Sequence, residues 1–155
     1  MTWKIHEFGQ LTTNNLYEIL ALRCQVFIVE QTCPYLDLDG HDRAAYHLCF
    51  QEADQVIAYC RILPPGITFE QASIGRYLVR ESVRGTGLGR RLFQKALAFC
   101  FRDQAYSEVM ISGQAYLQSF YESIGFESVG QVYLDDGIEH IDMKLSSEKY
   151  FNQHQ

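Results

Sequence analysis

The sequence predicts a single mixed α/β domain. Its 155 residues, 47% of them hydrophobic, are enough for one well-buried core and too few for two ordinary domains. Apolar residues recur at helical spacing over residues 88–101, whereas several shorter runs rich in β-branched and aromatic residues are bounded by glycine, proline or aspartate. Helical and strand patterns alternate along the chain, which is typical of a sheet with helices packed against it.

The first half of the chain predicts a strand, a helix and a hairpin separated by loops. Alternation of apolar and polar residues favours the strands, while apolar residues three and four apart favour the helix. Ala53 and Asp54 stand between two β-rich runs, which is typical of a hairpin turn. In order, these elements are a strand at residues 3–8, a helix at 16–30, an acidic loop at 32–42 and hairpin strands at 46–51 and 56–63.

The second half predicts two further helices among strands. Gly125 stands in the preferred position after a helix end, and Asp136-Gly137 is a strong hairpin signal. The elements are a strand at 74–79, helices at 88–101 and 117–124, a strand at 109–112 and hairpin strands at 129–134 and 139–145. We therefore expect a domain over residues 1–145 and a polar, frayed tail over 146–155.

The most informative motif is Arg84-Gly85-Thr86-Gly87-Leu88-Gly89, between a predicted strand and the helix at 88–101. Glycines let the backbone approach a ligand closely, and its N–H groups, together with the positive end of the helix dipole, can hold phosphate oxygens. The motif therefore predicts a site for a diphosphate.

The distribution of charge supports this interpretation. The chain has 13 Lys and Arg against 19 Asp and Glu, a formal net charge of −6. A local anion site in an acidic protein is indicated, whereas a nucleic-acid partner would need a broad basic face. The basic residues gathered around the glycine loop are Arg76, Arg80, Arg84, Arg90, Arg91 and Lys95.

Spacing excludes two other glycine-rich sites. A Walker loop ends in Gly-Lys-Ser/Thr, but here Gly89 is followed by Arg90 and Arg91. A dinucleotide-binding fingerprint would need glycine in place of Arg90 and an acidic residue about 20 positions later, where residues 105–107 lie. A tight turn that binds nothing is the remaining alternative, and the arginines make it less favoured.

The acidic loop has two open interpretations. It is not a calcium loop, because an EF-hand frame starting at Asp37 places Asp42 at the glycine position and Leu48 at the position of the bidentate acid. We predict no metal. Together with Glu30, the loop either attracts a cationic acceptor, such as a polyamine, an amino sugar or a lysine side chain, or is a solvated turn.

Cysteines and hydropathy indicate the compartment. The five cysteines are widely spaced and include no C-x-x-C pair, so we expect reduced, mostly buried thiols. No apolar run approaches the ~20 residues of a membrane span, and no signal segment opens the chain. A cytoplasmic protein without a membrane partner is expected.

Two motifs together resemble the GNAT acetyltransferase superfamily. Arg84, Gly87 and Gly89 match its R-x-x-G-x-G loop, and residues 115–126 resemble its second motif, which contains a tyrosine, a glycine and a phenylalanine. Further segments resemble the ElaA-like branch, so that the resemblance extends from about residue 16 to 145. These segments are residues 22–24, 26–31, 33–35, 37, 39–40, 58–63, 74–76 and 136–141.

The resemblance implies a fold and an activity. The fold is a central mixed, mostly antiparallel sheet flanked by helices. The activity is direct transfer of an acetyl group from acetyl-CoA to a primary amine of a small molecule or a protein. Family habit also implies a homodimer. Two alternatives stay open: a non-catalytic acyl-CoA-binding or sensor module, and a synthase that uses a longer acyl donor.

The resemblance also implies roles for individual residues. Tyr121 is the candidate general acid, although it also falls on an apolar stripe and has a core aromatic role as its alternative. Gln114 stands where the family often has asparagine. The general base is left open among Glu30, His47 and His140, or a water chain. The positions expected to bind the cosubstrate are Leu78, Val79, Arg84, Gly85, Thr86, Gly87, Leu88, Gly89, Arg90, Gln114 and Ser119.

Overall fold

The computed structural model describes residues 1–155 and contains a seven-stranded sheet flanked by helices, which confirms the predicted fold class. The strands are β1 (Thr2–Glu7), β2 (Tyr46–Glu52), β3 (Gln55–Leu63), β4 (Ala72–Val79), β5 (Glu108–Gln114), β6 (Glu127–Asp135) and β7 (Ile138–Ser146). Their order in the sheet is β1-β2-β3-β4-β5-β7-β6. Every neighbouring pair is antiparallel except β4 and β5, which are parallel.

Four α-helices cover the sheet. The side chain of Thr12 caps the first by accepting a hydrogen bond from the Asn15 N–H. π-helical turns extend the first helix over Cys24–Glu30 and the second over Phe99–Asp103. None of the helices is long and apolar enough to cross a membrane. The helices are α1 (Thr13–Arg23), α2 (Leu88–Ala98), α3 (Gln118–Ile124) and α4 (Ser147–Gln153).

The sheet separates two hydrophobic clusters. The larger one lies between the sheet and the helices α2 and α3, and the smaller one lies against α1 on the other face. Leu92 and Phe93 of α2 are almost completely buried in the larger cluster. Burial of each such side chain contributes about 1.5–3 kcal/mol relative to leaving it exposed. The helical spacing of the apolar residues in α2 therefore fixes which of its faces packs on the sheet.

The C-terminal tail is ordered, and the expectation that it frays is wrong. The Ser146 side chain caps α4 by accepting a hydrogen bond from the Lys149 N–H. Tyr150 is 4% exposed and packs on Phe101 with 4.8 Å between the ring centroids. Because the tail is mostly polar, its composition gave no indication that Tyr150 is buried. This side chain attaches the last helix to the larger cluster.

The strands β4 and β5 diverge soon after they meet. They pair at only two positions, Ala72 with Val109 and Ser73 with Met110. Farther along β4, Arg76 has a φ of +49°, and the register with β3 shifts as a β-bulge requires. The rest of β4 pairs with β3 on one edge and has no strand on the other, so a gap opens in the middle of the sheet.

Three arginines and three aspartates form a partly buried ion-pair network beside this gap. Arg23 is fully buried, with Nε 2.8 Å from Asp37 Oδ2 and Nη1 2.7 Å from Asp42 Oδ1. Asp42 also lies 3.0 Å from Nη1 of Arg61. The members of this arginine–aspartate network are Arg23, Arg61, Arg76, Asp37, Asp39 and Asp42.

The network joins the acidic loop to the sheet. Arg61 binds both carboxylate oxygens of Asp39 at 2.8 Å, and Arg76 Nε lies 2.8 Å from Asp37 Oδ1. Because each aspartate meets two arginines, the cost of burying these charges is offset by their partners. The aspartates of the acidic loop are therefore not free to attract a cationic acceptor, and that interpretation is wrong. The loop is also more than a solvated turn, because its aspartates attach it to the sheet although Asp39 and Gly40 are exposed.

Burial and hydrogen bonding set the protonation of this region. Burial opposes ionisation of Asp39, but the hydrogen bonds from Arg61 and the His41 N–H and the charges of Arg61 and Arg76 together outweigh it, so the pKa of this carboxyl group lies below its ordinary range. Arg23 and Arg61 together do the same for the pKa of Asp42. His47, next to the network, is inaccessible to solvent, and burial lowers its pKa.

We expect the free energy of unfolding to decrease in two steps as the pH falls. The pKa values of His47, Asp39 and Asp42 are all lower in the folded than in the unfolded chain. The unfolded chain therefore binds more protons, first below about pH 6.5 through histidine and then below about pH 4 through aspartate. Urea titrations between pH 8 and pH 3 measure both steps. His47→Gln should remove the first step only, and a wild-type stability that is constant over this range would contradict the prediction.

Candidate active site

A cleft of about 550 Å³ occupies the gap between β4 and β5. We name its two ends by the segments that form them. The loop side comprises Val83, Arg84, Gly85, Gly89, Phe93 and Tyr121. The hairpin side comprises Glu30, Gln31, Cys33, Tyr35, Asp135, Asp136, Ile138 and His140.

The glycine loop presents free backbone donors at the loop side. Gly85 and Gly87 have φ values of +80° and +82°, which glycine adopts without strain. The first backbone hydrogen bond of α2 runs from the Arg91 N–H to the Gly87 carbonyl, and the N–H groups from Gly85 to Arg90 donate to no acceptor in the protein. Such a row of N–H groups at a helix N-terminus can bind a diphosphate.

Gly89 is required for a different reason. A Cβ atom there would lie 2.5 Å from the hydroxyl oxygen of Tyr77, whose ring packs on Phe93 with 4.7 Å between centroids. The absence of a side chain thus lets the first turn of α2 approach β4 closely. The close approach brings the N–H groups of the loop next to the cleft.

Most of the arginines that we expected at the anion site lie elsewhere. The Arg76 guanidinium pairs with Asp37, and Arg80 Nη2 donates to the Val56 carbonyl at 2.9 Å. Arg91 and Lys95 both lie over the ring of Trp3. Only two basic residues of the predicted set remain near the donors of the glycine loop, and these are Arg84 and Arg90.

β4 lines the cleft with its main chain. Leu78 and Val79 border the cleft and pair with β3 through Tyr59 and Ala58 on the opposite edge. Since β5 is paired with β4 only as far as Ser73, alternate N–H and C=O groups of the later β4 residues face the gap. A ligand with amide groups can pair with this edge as a strand would.

Tyr121 reaches the cleft from α3. It is 5% exposed, and its ring packs on Gly113 and lies 5.7 Å from the Phe93 ring, centroid to centroid. Burial raises its pKa well above the ordinary value, so the phenol is protonated at neutral pH. The hydroxyl has no hydrogen-bond partner in the protein and is available to donate to a ligand.

The hairpin side is tied to the loop side through Glu30. Its Oε1 lies 2.7 Å from Nη2 of Arg84, and Arg84 Nε donates to the Val79 carbonyl at 2.9 Å. Gln114 Nε2 donates to Gln31 Oε1 at 3.2 Å across the cleft. The end of the extended α1 is therefore fixed to both diverging strands.

The three candidate bases differ in position. His47 lies outside the cleft with both ring nitrogens in hydrogen bonds, so the structure removes it from the three candidates. Glu30 and His140 both line the cleft. His140 Nδ1 is 2.8 Å from the Ile138 carbonyl oxygen, and because a carbonyl only accepts, the proton is assigned to Nδ1 and the lone pair to Nε2.

Some of the positions predicted to bind the cosubstrate line the cleft and others do not. Leu78, Val79, Arg84, Gly85, Gly89 and Gln114 line the cleft. Thr86, Gly87, Arg90 and Ser119 are exposed outside its wall, and Leu88 is buried. The Leu88 side chain thus anchors the helix in the core, and only its main chain faces the loop. For Ser119 the structure gives no contact with the cleft.

Sequence reasoning missed other residues of the cleft. Tyr35, Tyr77 and Arg76 line it, and so do the two acids of the β6–β7 turn, Asp135 and Asp136. The Asp-Gly signal predicted the turn correctly but carried no information about what the turn faces. These residues are adjacent only through the tertiary fold.

The cysteines are structural. All five are free, and four of them are buried. Burial raises the pKa of Cys49 to about 12 and that of Cys100 to about 12. Cys33 is the one that lines the cleft, with Sγ 3.5 Å from the Asp136 carbonyl oxygen. The expectation of mostly buried thiols is confirmed.

Comparison with known proteins identifies the domain. The model of the acetyltransferase (GNAT) domain matches residues 24–147. Protein ElaA of Escherichia coli (strain K12) is 41% identical over 143 residues, covering 91% of this chain and 94% of ElaA.

Two crystal structures are also similar to this chain. That of E. coli ElaA has a TM-score of 0.86 at 40% identity and covers 93% of this chain and 99% of its own. That of an acyl-CoA N-acyltransferase from Pseudomonas aeruginosa has a TM-score of 0.89 at 38% identity, covering 94% and 100%.

We expect Gly87→Ala to weaken binding of coenzyme A at least tenfold. The new Cβ would force a residue that avoids positive φ into the loop and place a methyl group beside the N–H donors. Isothermal titration calorimetry with coenzyme A measures the change. Gly66→Ala is a matched control, since Gly66 has a φ of +90°, also has no atom within 4 Å of its Cβ position and lies outside the cleft. Equal affinity of both variants would contradict a diphosphate site at this loop.

Proposed function

The chain belongs to the GNAT acetyltransferase family, and from this premise we propose that it transfers an acetyl group from acetyl-CoA directly to a primary amine of a small-molecule or protein acceptor. The observation that carries the proposal is the divergence of β4 and β5 beside the free N–H groups of the glycine loop. The diphosphate of coenzyme A lies on these donors, and the pantetheine amides pair with the free edge of β4.

The thioester then lies beside the end of β4. The Val79 N–H points away from β3 and is placed to polarise its carbonyl and to stabilise the oxyanion that forms on attack, whereas the main chain of Leu78 pairs with β3. One preorganised donor of this kind contributes about 10²–10³ to the rate. The amine approaches from the hairpin side, where the cleft is open to the acceptor.

The reaction forms a C–N bond and breaks a C–S bond. The neutral amine nitrogen attacks the thioester carbonyl carbon, the tetrahedral intermediate collapses with loss of the thiolate, and the proton that the nitrogen must release passes to that thiolate, directly or through water, to give the thiol. Tyr121 donates a hydrogen bond to the departing thiolate. Complete proton transfer from a phenol of pKa about 10 to a thiolate of pKa about 8.5 is uphill by roughly 2 kcal/mol. Burial raises the pKa of Tyr121 further, so hydrogen-bond donation is the more favourable form of assistance.

The incoming ammonium must first lose a proton. Of the two candidate bases in the cleft, the Glu30 carboxylate is paired with Arg84, whereas His140 Nε2 carries a free lone pair. We propose His140 as the group that accepts this proton, directly or through water.

We expect Tyr121→Phe to lower the rate of acetyl transfer by about 10²–10⁴ while leaving the affinity for coenzyme A within about twofold. The variant removes only the hydroxyl, so the packing on Phe93 is kept. Thiol release with a panel of amines gives the rate, and mass spectrometry identifies the product. Tyr116→Phe is the control, because Tyr116 also lines the cleft but is 76% exposed.

The outcomes separate the role of Tyr121 from the function itself. Unchanged turnover of Tyr121→Phe would remove the proposed role of the tyrosine and leave the function standing. A wild-type protein that binds acetyl-CoA and acetylates no amine would instead identify a non-catalytic acyl-CoA-binding module.

The hairpin side favours a cationic acceptor. The charges of Glu30 and Arg76 are paired, whereas Asp135 and Asp136 line the cleft without an ion-pair partner. Their negative potential attracts an ammonium group and repels an anionic one. A diamine, a polyamine or a lysine side chain therefore fits this end better than a neutral amine.

We expect Asp136→Asn to raise the KM for a diamine about three- to tenfold, with less effect on a neutral amine of similar size, because it removes one cleft charge. Asn tolerates the φ of +49° that Asp136 adopts, so the turn is preserved. Steady-state kinetics at low and high salt measure the effect, which should decrease as salt rises. Asp54→Asn, in the distant β2–β3 turn, is the control. If Asp136→Asn changed the KM for the diamine and for the neutral amine by the same factor, the result would contradict a cationic acceptor.

A further inference from the structure

Arg76 is the residue at which β4 leaves regular strand geometry. Its φ of +49° lies in the left-handed region, which residues with a side chain rarely adopt. The neighbouring Gly75, which could adopt it without strain, does not. A conformation of this kind persists only where the surrounding structure determines it, and such residues cluster at functional sites.

The side chain of Arg76 explains why the conformation persists. Nε lies 2.8 Å from Asp37 Oδ1, Nη2 donates to the Asp37 carbonyl at 2.9 Å, and the guanidinium carbon is 5.8 Å from the centroid of the Tyr35 ring. Asp37 is 2% exposed and is held by the fully buried Arg23 on its other oxygen. The partner of Arg76 is thus itself immobile.

The bulge determines which main-chain groups face the cleft. Opposite β3 residues Tyr59 and Arg61, which are two positions apart, β4 places Leu78 and Gly75, which are three apart. Because the N–H and C=O groups of a strand alternate between its two edges, one additional residue exchanges the edge to which every later group points. Removing the bulge would turn the Val79 N–H, which faces the cleft, towards β3.

We propose that Arg76 is a positioning residue for the transfer reaction. Anchored to Asp37, it fixes the bulge in β4 and thereby directs the Val79 N–H towards the thioester. This inference rests on the proposed function and adds to it a residue that acts through the backbone. Arg23 and Asp37 support it as the fixed end of the anchor.

Two substitutions at the same position test the proposal. Arg76→Ala removes the anchor and leaves a residue that avoids positive φ, whereas Arg76→Gly removes the same anchor and leaves a residue that adopts it freely. We expect Arg76→Ala to lower kcat about 10²-fold and Arg76→Gly to lower it no more than about tenfold, since displacement of reacting groups by about 1 Å costs about 10²-fold in rate. KM for the amine should change less than kcat in both.

Arg61→Lys is the control for loss of stability alone. Arg61 belongs to the same network, but it lies in regular β3 and does not line the cleft. We expect Arg61→Lys to lower the melting temperature and to leave kcat near that of the wild type. Equal loss of kcat in Arg76→Ala and Arg76→Gly, or a wild-type kcat in Arg76→Ala, would overturn the proposal.

Amide hydrogen exchange separates this inference from the proposed function. If the wild-type protein transfers no acetyl group to any amine, the proposed function fails, but the bulge can still be examined. The positioning role is supported if the amides of Tyr77, Leu78 and Val79 exchange at wild-type rates in Arg76→Gly and at different rates in Arg76→Ala. The same protection pattern in the two variants overturns it.

Discussion

The fold depends on a buried set of charges that holds two strands in an otherwise unfavourable arrangement. Parallel strands normally continue to pair once they are adjacent, yet β4 separates from β5 after two residue pairs. The bulge at Arg76 accompanies this separation, and the bulge is anchored by Asp37 and, behind it, by Arg23. The cleft is therefore maintained by electrostatics in the core as much as by apolar packing. An apolar residue in place of Arg23 would leave the buried Asp37 and Asp42 with one arginine each instead of two.

The same charges organise the two ends of the cleft. The aspartates belong to the loop that follows the extended α1, so the pairs that stabilise the bulge also hold the wall carrying Cys33 and Tyr35. At the other end, the N–H groups of the glycine loop provide positive potential without a mobile side chain. The cleft thus has a cationic and an anionic end, which corresponds to the charges of a nucleotide-bearing donor and an amine acceptor.

Local signals predicted most of the elements and the glycine loop. The helix α2 and the β6–β7 hairpin depend on periodicity and turn residues within a few positions of one another, so the sequence alone sufficed. The arginine–aspartate network could not be predicted from local patterns, because it joins residues separated by 14 to 39 positions. A run of acids has the same appearance in sequence whether it faces water or a buried arginine. For the same reason His47 could not be removed from the candidate bases on the sequence alone, since burial is a property of the fold.

The sheet consists of two antiparallel blocks, β1–β4 and β5–β7, connected by one short parallel seam. Two residue pairs provide little resistance to bending, so mechanical compliance of the molecule is concentrated at this seam. A chain-like ligand whose amides bridged both blocks would act as a missing strand and make the sheet continuous. Stiffening on binding is thus a consequence of the topology, independent of what the ligand carries.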